Sequence, residues 1–155
     1  MKNWLAWLQQ LLPKNNLPRW LVIAGFAISL IGFADASYLS IEKLNGQTPP
    51  CIITSGCDTV TTSKYSYFGP IPVAVAGAAF YLTLLVLFFA TLDSKDNRWA
   101  TLALCLSPFG FIFSLYFLFI QAFVLHAYCI YCLGSLATST SIFGLSVYAK
   151  VKKLI

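Results

Sequence analysis

Four stretches of this chain are long and apolar enough to cross a lipid bilayer, and few residues remain to build anything else. They cover about 20–44, 70–92, 98–128 and 129–148. A spanning helix needs about 20 mainly apolar residues, whereas a barrel strand needs only about 10 of alternating polarity. The bilayer core holds no water, so each segment must satisfy its own backbone, and a helix does so internally. Composition agrees, since 59% of the residues are hydrophobic and 10% are charged, against about a quarter charged in soluble domains. The expected fold is an all-α membrane protein. Its four-transmembrane-helix bundle takes residues 20–150, after a cytoplasmic or interfacial segment 1–19 and before a cytoplasmic tail 151–155.

The net charge is +5, but its placement argues against nucleic acid as a partner. Lys2, Lys14 and Arg19 precede the first span, Lys95 and Arg98 separate the second from the third, and Lys150, Lys152 and Lys153 follow the fourth. Only Lys43 and Lys64 fall on the other side, and eight against two is the positive-inside bias. Both termini are therefore expected in the cytoplasm. The same rule accounts for Lys152-Lys153 without an endoplasmic-reticulum retrieval signal. Trp4, Leu5, Leu8, Leu11 and Leu12 recur at helical spacing, as in a helix lying on the inner surface, with a disordered tail as the alternative. The first span followed by Ala34-Asp35-Ala36 resembles a cleavable signal peptide, but apolar residues continue through Leu39 and favour an uncleaved span.

The one long polar stretch is the outer loop, about 42–69. Asn45-Gly46 and Pro49-Pro50 mark turns in it. Ser55 suits the cap of a short helix reaching about Ser66, with Asp58 bonding back. Cys51 and Cys57 lie in this loop, and Cys129-Ile130-Tyr131-Cys132 opens the last span on the same side. An outer compartment permits disulfides. Cys129 and Cys132, three apart at a helix start, share a face, and unpaired N–H groups there favour the reactive thiolate. Cys57 gains the same help at the loop helix. Cys51, outside that helix and flanked by proline, suits contact with another protein. Three readings stay open on these residues: an electron relay, two structural staples, or a zinc site, which the unequal x5 and x2 spacings disfavour. Cys105 reads as a small buried hydrophobe.

The order of motifs is more telling than any one of them. Cys51-x5-Cys57, Asp58-x-Val60-x-x-Ser63-Lys64-Tyr65, Phe68-Gly69-x-Ile71-Pro72, Gly77-x-x-Phe80-Tyr81 and Cys129-Ile130-Tyr131-Cys132 together resemble the vitamin K epoxide reductase family, above all its bacterial members. The likeness covers about 25–148. Quinone-linked oxidases of the DsbB type also have four helices, but they carry C-x-x-C in the first outer loop rather than the last.

The resemblance implies a membrane thiol–disulfide oxidoreductase that supports disulfide formation in secreted proteins. Cys132 would lie beside a quinone (ubiquinone or menaquinone), with no metal. Cys129 would complete that disulfide, Cys57 would attack it, and Cys51 would exchange with a thioredoxin-fold protein. Ser63, Tyr65 and Phe80 would line the quinone pocket. An Asn and a Tyr that bind quinone in animal members fall on Val73 and Leu136 here, which argues against the vitamin K epoxide as substrate. Some relatives carry a fused thioredoxin-like domain; this chain stops at Ile155, so the expected partner is a separate periplasmic or lumenal (DsbA-like) protein. The expected location is the bacterial inner membrane, with the cysteine pairs on the periplasmic side. The alternatives are a reductase whose end is a vitamin K-type quinone or epoxide, and a non-enzymatic scaffold.

Several polar residues inside the spans have two readings each. Asp35 is costly in a membrane, which points to proton delivery to a quinone, against a reach to interfacial water or a neighbouring helix. Phe117, Gln121 and Leu125 form a stripe that could face the quinone, or Gln121 could bond another helix while the others pack. His126 could tune Cys129 or stand passively at the interface. Phe111, Phe113, Phe119 and Phe123 read as packing residues, and Ser139, Thr140 and Ser141 as a close helix contact.

Overall fold

The computed structural model describes residues 16–51 and 56–155. The proposed surface helix around 4–12 and the proposed cap Ser55 lie outside them. Four long helices form the bundle: α1 (Arg19–Leu44), α3 (Val73–Ser94), α4 (Arg98–Phe119) and α5 (Ile130–Val151). All four are long and apolar enough to cross a membrane, and the chain is a multi-pass membrane protein. The short helix α2 (Cys57–Thr62) lies between α1 and α3. Helix α1 packs on α3 and α5, and α4 closes the bundle against the same two.

Lipid tails are as apolar as the side chains, so burial alone cannot drive these helices together; close packing must do so. Here aromatic rings of α3 fill notches left by glycines. A Cβ on Gly25 would lie 2.5 Å from Phe88 Cζ, and one on Gly110 would lie 2.6 Å from Phe80 Cε1. Tyr81 fills the notch at Gly32 in the same way. Phe88 is wholly buried with Leu21, Leu84 and Leu104. Gly25→Val should therefore destabilise the bundle by about 1–3 kcal/mol, the usual penalty of overpacking. A lower melting temperature in detergent checks this, and an unchanged one would contradict the packing account.

Helix α4 contains Pro108, which cannot donate to the carbonyl of Leu104. That oxygen instead accepts Ser107 Oγ at 2.7 Å and Ser146 Oγ of α5 at 3.0 Å. A second polar contact joins Ser139 Oγ to Ser114 Oγ at 2.8 Å. Thr140 and Ser141, expected beside Ser139, are exposed, because only one of three successive positions can face a given neighbour. Phe111 does pack, stacked on Phe143 with centroids 4.6 Å apart. Phe119 and Phe123 are exposed, and their rings meet with centroids 4.8 Å apart. Cys105 is exposed too, not buried as its sequence context suggested. A membrane bundle is apolar on its outside as well as its inside, so hydrophobic neighbours do not reveal which way a residue faces.

The helices bring two connections to one end, here the cysteine end. The basic end carries the tight turn after α3, where Lys95 is left-handed (φ 56°) and Asp96 Oδ1 accepts the Arg98 N–H at 3.2 Å. At the cysteine end, α2 stops at Thr62, short of the expected Ser66. A single 3₁₀ turn, Lys64–Ser66, follows, then a hairpin of β1 (Tyr67–Phe68) and β2 (Ile71–Pro72). Tyr67 pairs with Pro72 and Phe68 with Ile71, across a turn in which Gly69 takes φ 63°. Lys43 of α1 clasps this layer. Its ammonium donates to the Thr61 carbonyl and to Ser66 Oγ, and lies 4.6 Å from the centre of the Tyr67 ring.

Candidate active site

Cys51 and Cys57 are joined in a disulfide with Cα atoms 5.9 Å apart. Cys57 opens α2 and is 1% exposed, while Cys51 is half-buried. Gly56 is the residue that precedes this helix, and Asp58 in its first turn is exposed. Gly56 is there for proximity. A Cβ on it would lie 2.6 Å from the Tyr128 nitrogen and 2.8 Å from the Tyr128 oxygen. The neighbour of Cys57 thus rests on the backbone of the neighbour of Cys129. A second tie runs from the Tyr131 hydroxyl to the Pro50 carbonyl, 3.3 Å away.

The connection from α4 to α5 is organised by Gln121. Helix α4 widens into a π turn, Ile120–Leu125, and ends at His126 in the left-handed region (φ 47°). The Gln121 carbonyl accepts the N–H groups of His126 and, at 3.1 Å, Ala127. Its side-chain Oε1 accepts the Cys129 N–H at 2.9 Å. Gln121 is 2% exposed, so water cannot replace these bonds. The residue therefore holds both ends of the turn that presents the cysteine motif. His126 is exposed and serves as a turn residue.

Cys129 caps α5 and is wholly buried, and Cys132 sits in the first helical turn; both are thiols. The Cys132 thiol hydrogen-bonds the Cys129 sulfur, which with nearby backbone N–H groups brings the Cys129 pKa down to about 7, against burial and the Asp35 charge that push it up. The lowering favours the thiolate, the form that exchanges with disulfides.

Behind Cys132 lies an apolar cavity of about 450 Å³. That is within the usual range for small-molecule sites, about 300–1,000 Å³. Its loop wall includes Ser63 and Tyr65, and its α3 wall Val73, Phe80 and Tyr81. Phe117, Gln121 and Leu125 line it from α4 and the π turn. Leu136, the other expected pocket residue, is not on the lining; Ser135 and Ser139 are. Positions three and seven beyond Cys132 lie on the cavity side of α5, while the fourth is turned past it. The sequence reading also missed Phe109 and Phe113. The signal was there, because the Phe117–Gln121–Leu125 spacing of four extends back through both. An aromatic wall with few polar groups and one sulfur fits a quinone ring.

Asp35 of α1 also lines this cavity, beside Gly134 of α5. Its Oδ2 is buried without a hydrogen-bond partner. An unsatisfied buried polar group costs roughly 1–3 kcal/mol, so its retention calls for an explanation. The nearby Tyr81 hydroxyl is committed elsewhere. It bonds to the Ser135 carbonyl at 2.9 Å and to Thr138 Oγ1 at 2.7 Å.

Comparison with known proteins agrees with this geometry. The model of the vitamin K epoxide reductase family matches residues 22–147, a span that takes in all four paired cysteines and the whole cavity lining. The chain therefore belongs to the vitamin K epoxide reductase family, whose members are membrane thiol oxidoreductases.

Proposed function

We propose that this protein passes electrons from a thioredoxin-fold partner through Cys51/Cys57 to Cys129/Cys132 and on to a quinone, supporting disulfide formation in secreted proteins. The observation that carries this reading is the unequal setting of the two pairs. One residue of the inner pair, Cys132, borders the aromatic cavity, while the other, Cys129, follows Tyr128, whose backbone meets Gly56 beside Cys57. Permanent staples would tie the loop to the bundle. The observed disulfide instead closes within the loop, and the inner pair is reduced.

Cys51, the less buried loop sulfur, exchanges with the partner. Cys57 attacks Cys129 across the Gly56–Tyr128 contact. Gln121 holds the Cys129 backbone while its sulfur changes partners. After one internal transfer the loop pair would be oxidised and the inner pair reduced. A bound quinone supplies a two-electron acceptor beside Cys132. The aromatic wall orients its ring and excludes water. Val73 offers no hydrogen bond from the α3 wall, which favours a quinone over its epoxide. The same reading places the protein in a bacterial inner membrane, with the cysteine end in the periplasm and both termini in the cytoplasm.

Trapping tests the protein-facing half. Cys57→Ala leaves Cys51 without a resolving thiol, so a mixed disulfide with the partner should accumulate and be released by dithiothreitol. Cys51→Ala should yield none. Absence of the adduct from the Cys57 variant, or its persistence without Cys51, would refute the assignment.

A further inference from the structure

Among the described residues, three side-chain polar atoms are buried without a hydrogen-bond partner: Ser29 Oγ, Arg98 Nε and Asp35 Oδ2. Only Asp35 belongs to the cavity. Five titratable side chains line that cavity: Asp35, Lys43, Tyr65, Tyr81 and Cys132. Lys43 is occupied by Thr61, Ser66 and the Tyr67 ring. Tyr81 is occupied by Ser135 and Thr138. Tyr65 lies under the Lys64 ammonium, 5.2 Å from its ring centre, and a phenol is a far weaker acid than a carboxyl. Asp35 is thus the one carboxyl on the wall, it has an open oxygen, and it shares that wall with Cys132.

We propose that Asp35 is the proton-transfer residue of the quinone site, giving a proton to a quinone oxygen as the Cys129–Cys132 bond forms. This rests on the quinone reading above. The balance is simple. In forming one S–S bond the pair loses two electrons and two protons, and converting a quinone to a quinol consumes two of each. The carboxylic acid of Asp35 gives its proton to the nearer oxygen, and the resulting carboxylate takes the proton of the Cys132 thiol. Asp35 ends as it began. The Cys129 proton leaves through water at the loop end, and one proton returns from water to the other oxygen. Gly134 leaves open the space beside the carboxyl, where a side chain from α5 would otherwise approach it.

The test uses the full-length protein in detergent, reduced and freed of reductant, with menadione as the probe. Asp35→Asn keeps the shape and a hydrogen-bond donor but cannot pass a proton. Thiol loss after menadione addition should slow by about 10²–10⁴-fold, the usual range for lost acid–base catalysis, with little change in the concentration giving half-maximal rate. Asp35→Glu should recover part of the rate. A second readout needs no turnover. In a redox-dead Cys132→Ser background, menadione should shift an infrared carboxyl band, and that shift should vanish when Asp35→Asn is added. If native protein is oxidised by menadione and Asp35→Asn matches it within twofold, Asp35 is not the donor. A carboxyl band that does not respond to menadione is equally contrary. If native protein itself is not oxidised, the quinone reading fails and the Asp35 assignment fails with it.

Discussion

Reduced Cys132→Ser protein should keep its thiols when a soluble quinone is added, while the native protein loses both pairs. The expected loss of rate is on the order of 10³-fold or more, because removing a nucleophile deletes the covalent route instead of tuning it. The reasoning is geometric. Of the four paired sulfurs, only that of Cys132 belongs to a residue lining the aromatic cavity. Cys129 is wholly buried, Cys57 is almost so, and neither lines the cavity. Without Cys132 no inner disulfide can form, and no electron pair reaches the cavity from the loop. The Cys51–Cys57 disulfide should still form with a chemical oxidant, which separates loss of transfer from loss of folding. Counting free thiols against time checks the result. Reoxidation of Cys132→Ser at the native rate would sink the proposed order of electron flow.

Gly56→Val should break the relay in its middle and leave both ends working. A Cβ at this position would sit well inside contact distance of the Tyr128 backbone, which cannot rotate away as a side-chain tip could. Valine would then push the loop off the turn that carries Cys129. Gly56 has φ −100°, which any residue can adopt, so the effect is one of space and not of backbone strain. A misplacement of about 1 Å costs an in-line reaction roughly 10²-fold. Disulfide exchange at Cys51 with a partner should continue, as should oxidation of Cys129/Cys132 by quinone. What should slow by about 10²-fold is the passage of electrons between the two pairs. Rapid-quench alkylation with separate peptide readouts for the pairs distinguishes these steps. Unchanged transfer between the pairs would mean that the Gly56–Tyr128 contact does not set their approach.

The sequence made the long helices and the cysteine pairs legible for the same reason: each is a strong local pattern. About twenty apolar residues in a row have few alternatives, and C-x-x-C at a helix start is equally local. Facing direction was harder. Cys105, Phe119 and Phe123 sit in apolar surroundings whether they point at lipid or at a neighbouring helix. The family resemblance points to Leu136 as a pocket residue, yet the helical turn after Cys132 brings Ser135 and Ser139 to the cavity instead. Gly56 could not have been singled out, because its role depends on Tyr128, far along the chain. Gln121 fell between two readings, wall or brace, and the structure shows it as both. A side chain can face a cavity and bond a backbone at once when a π turn widens the helix beneath it.

The burial of Cys57 and Cys129 has a consequence for traffic between redox pools. At 1% and 0% exposure, the two sulfurs proposed to trade partners are shielded from small soluble thiols. In the proposed relay a glutathione-sized reductant would meet half-buried Cys51 before it met Cys57 or Cys129. On the proposed path the fold would act as insulation around a wire: one terminal, Cys51, is half-buried, the other, Cys132, borders the apolar cavity, and the close fit of a glycine on a backbone lies between them.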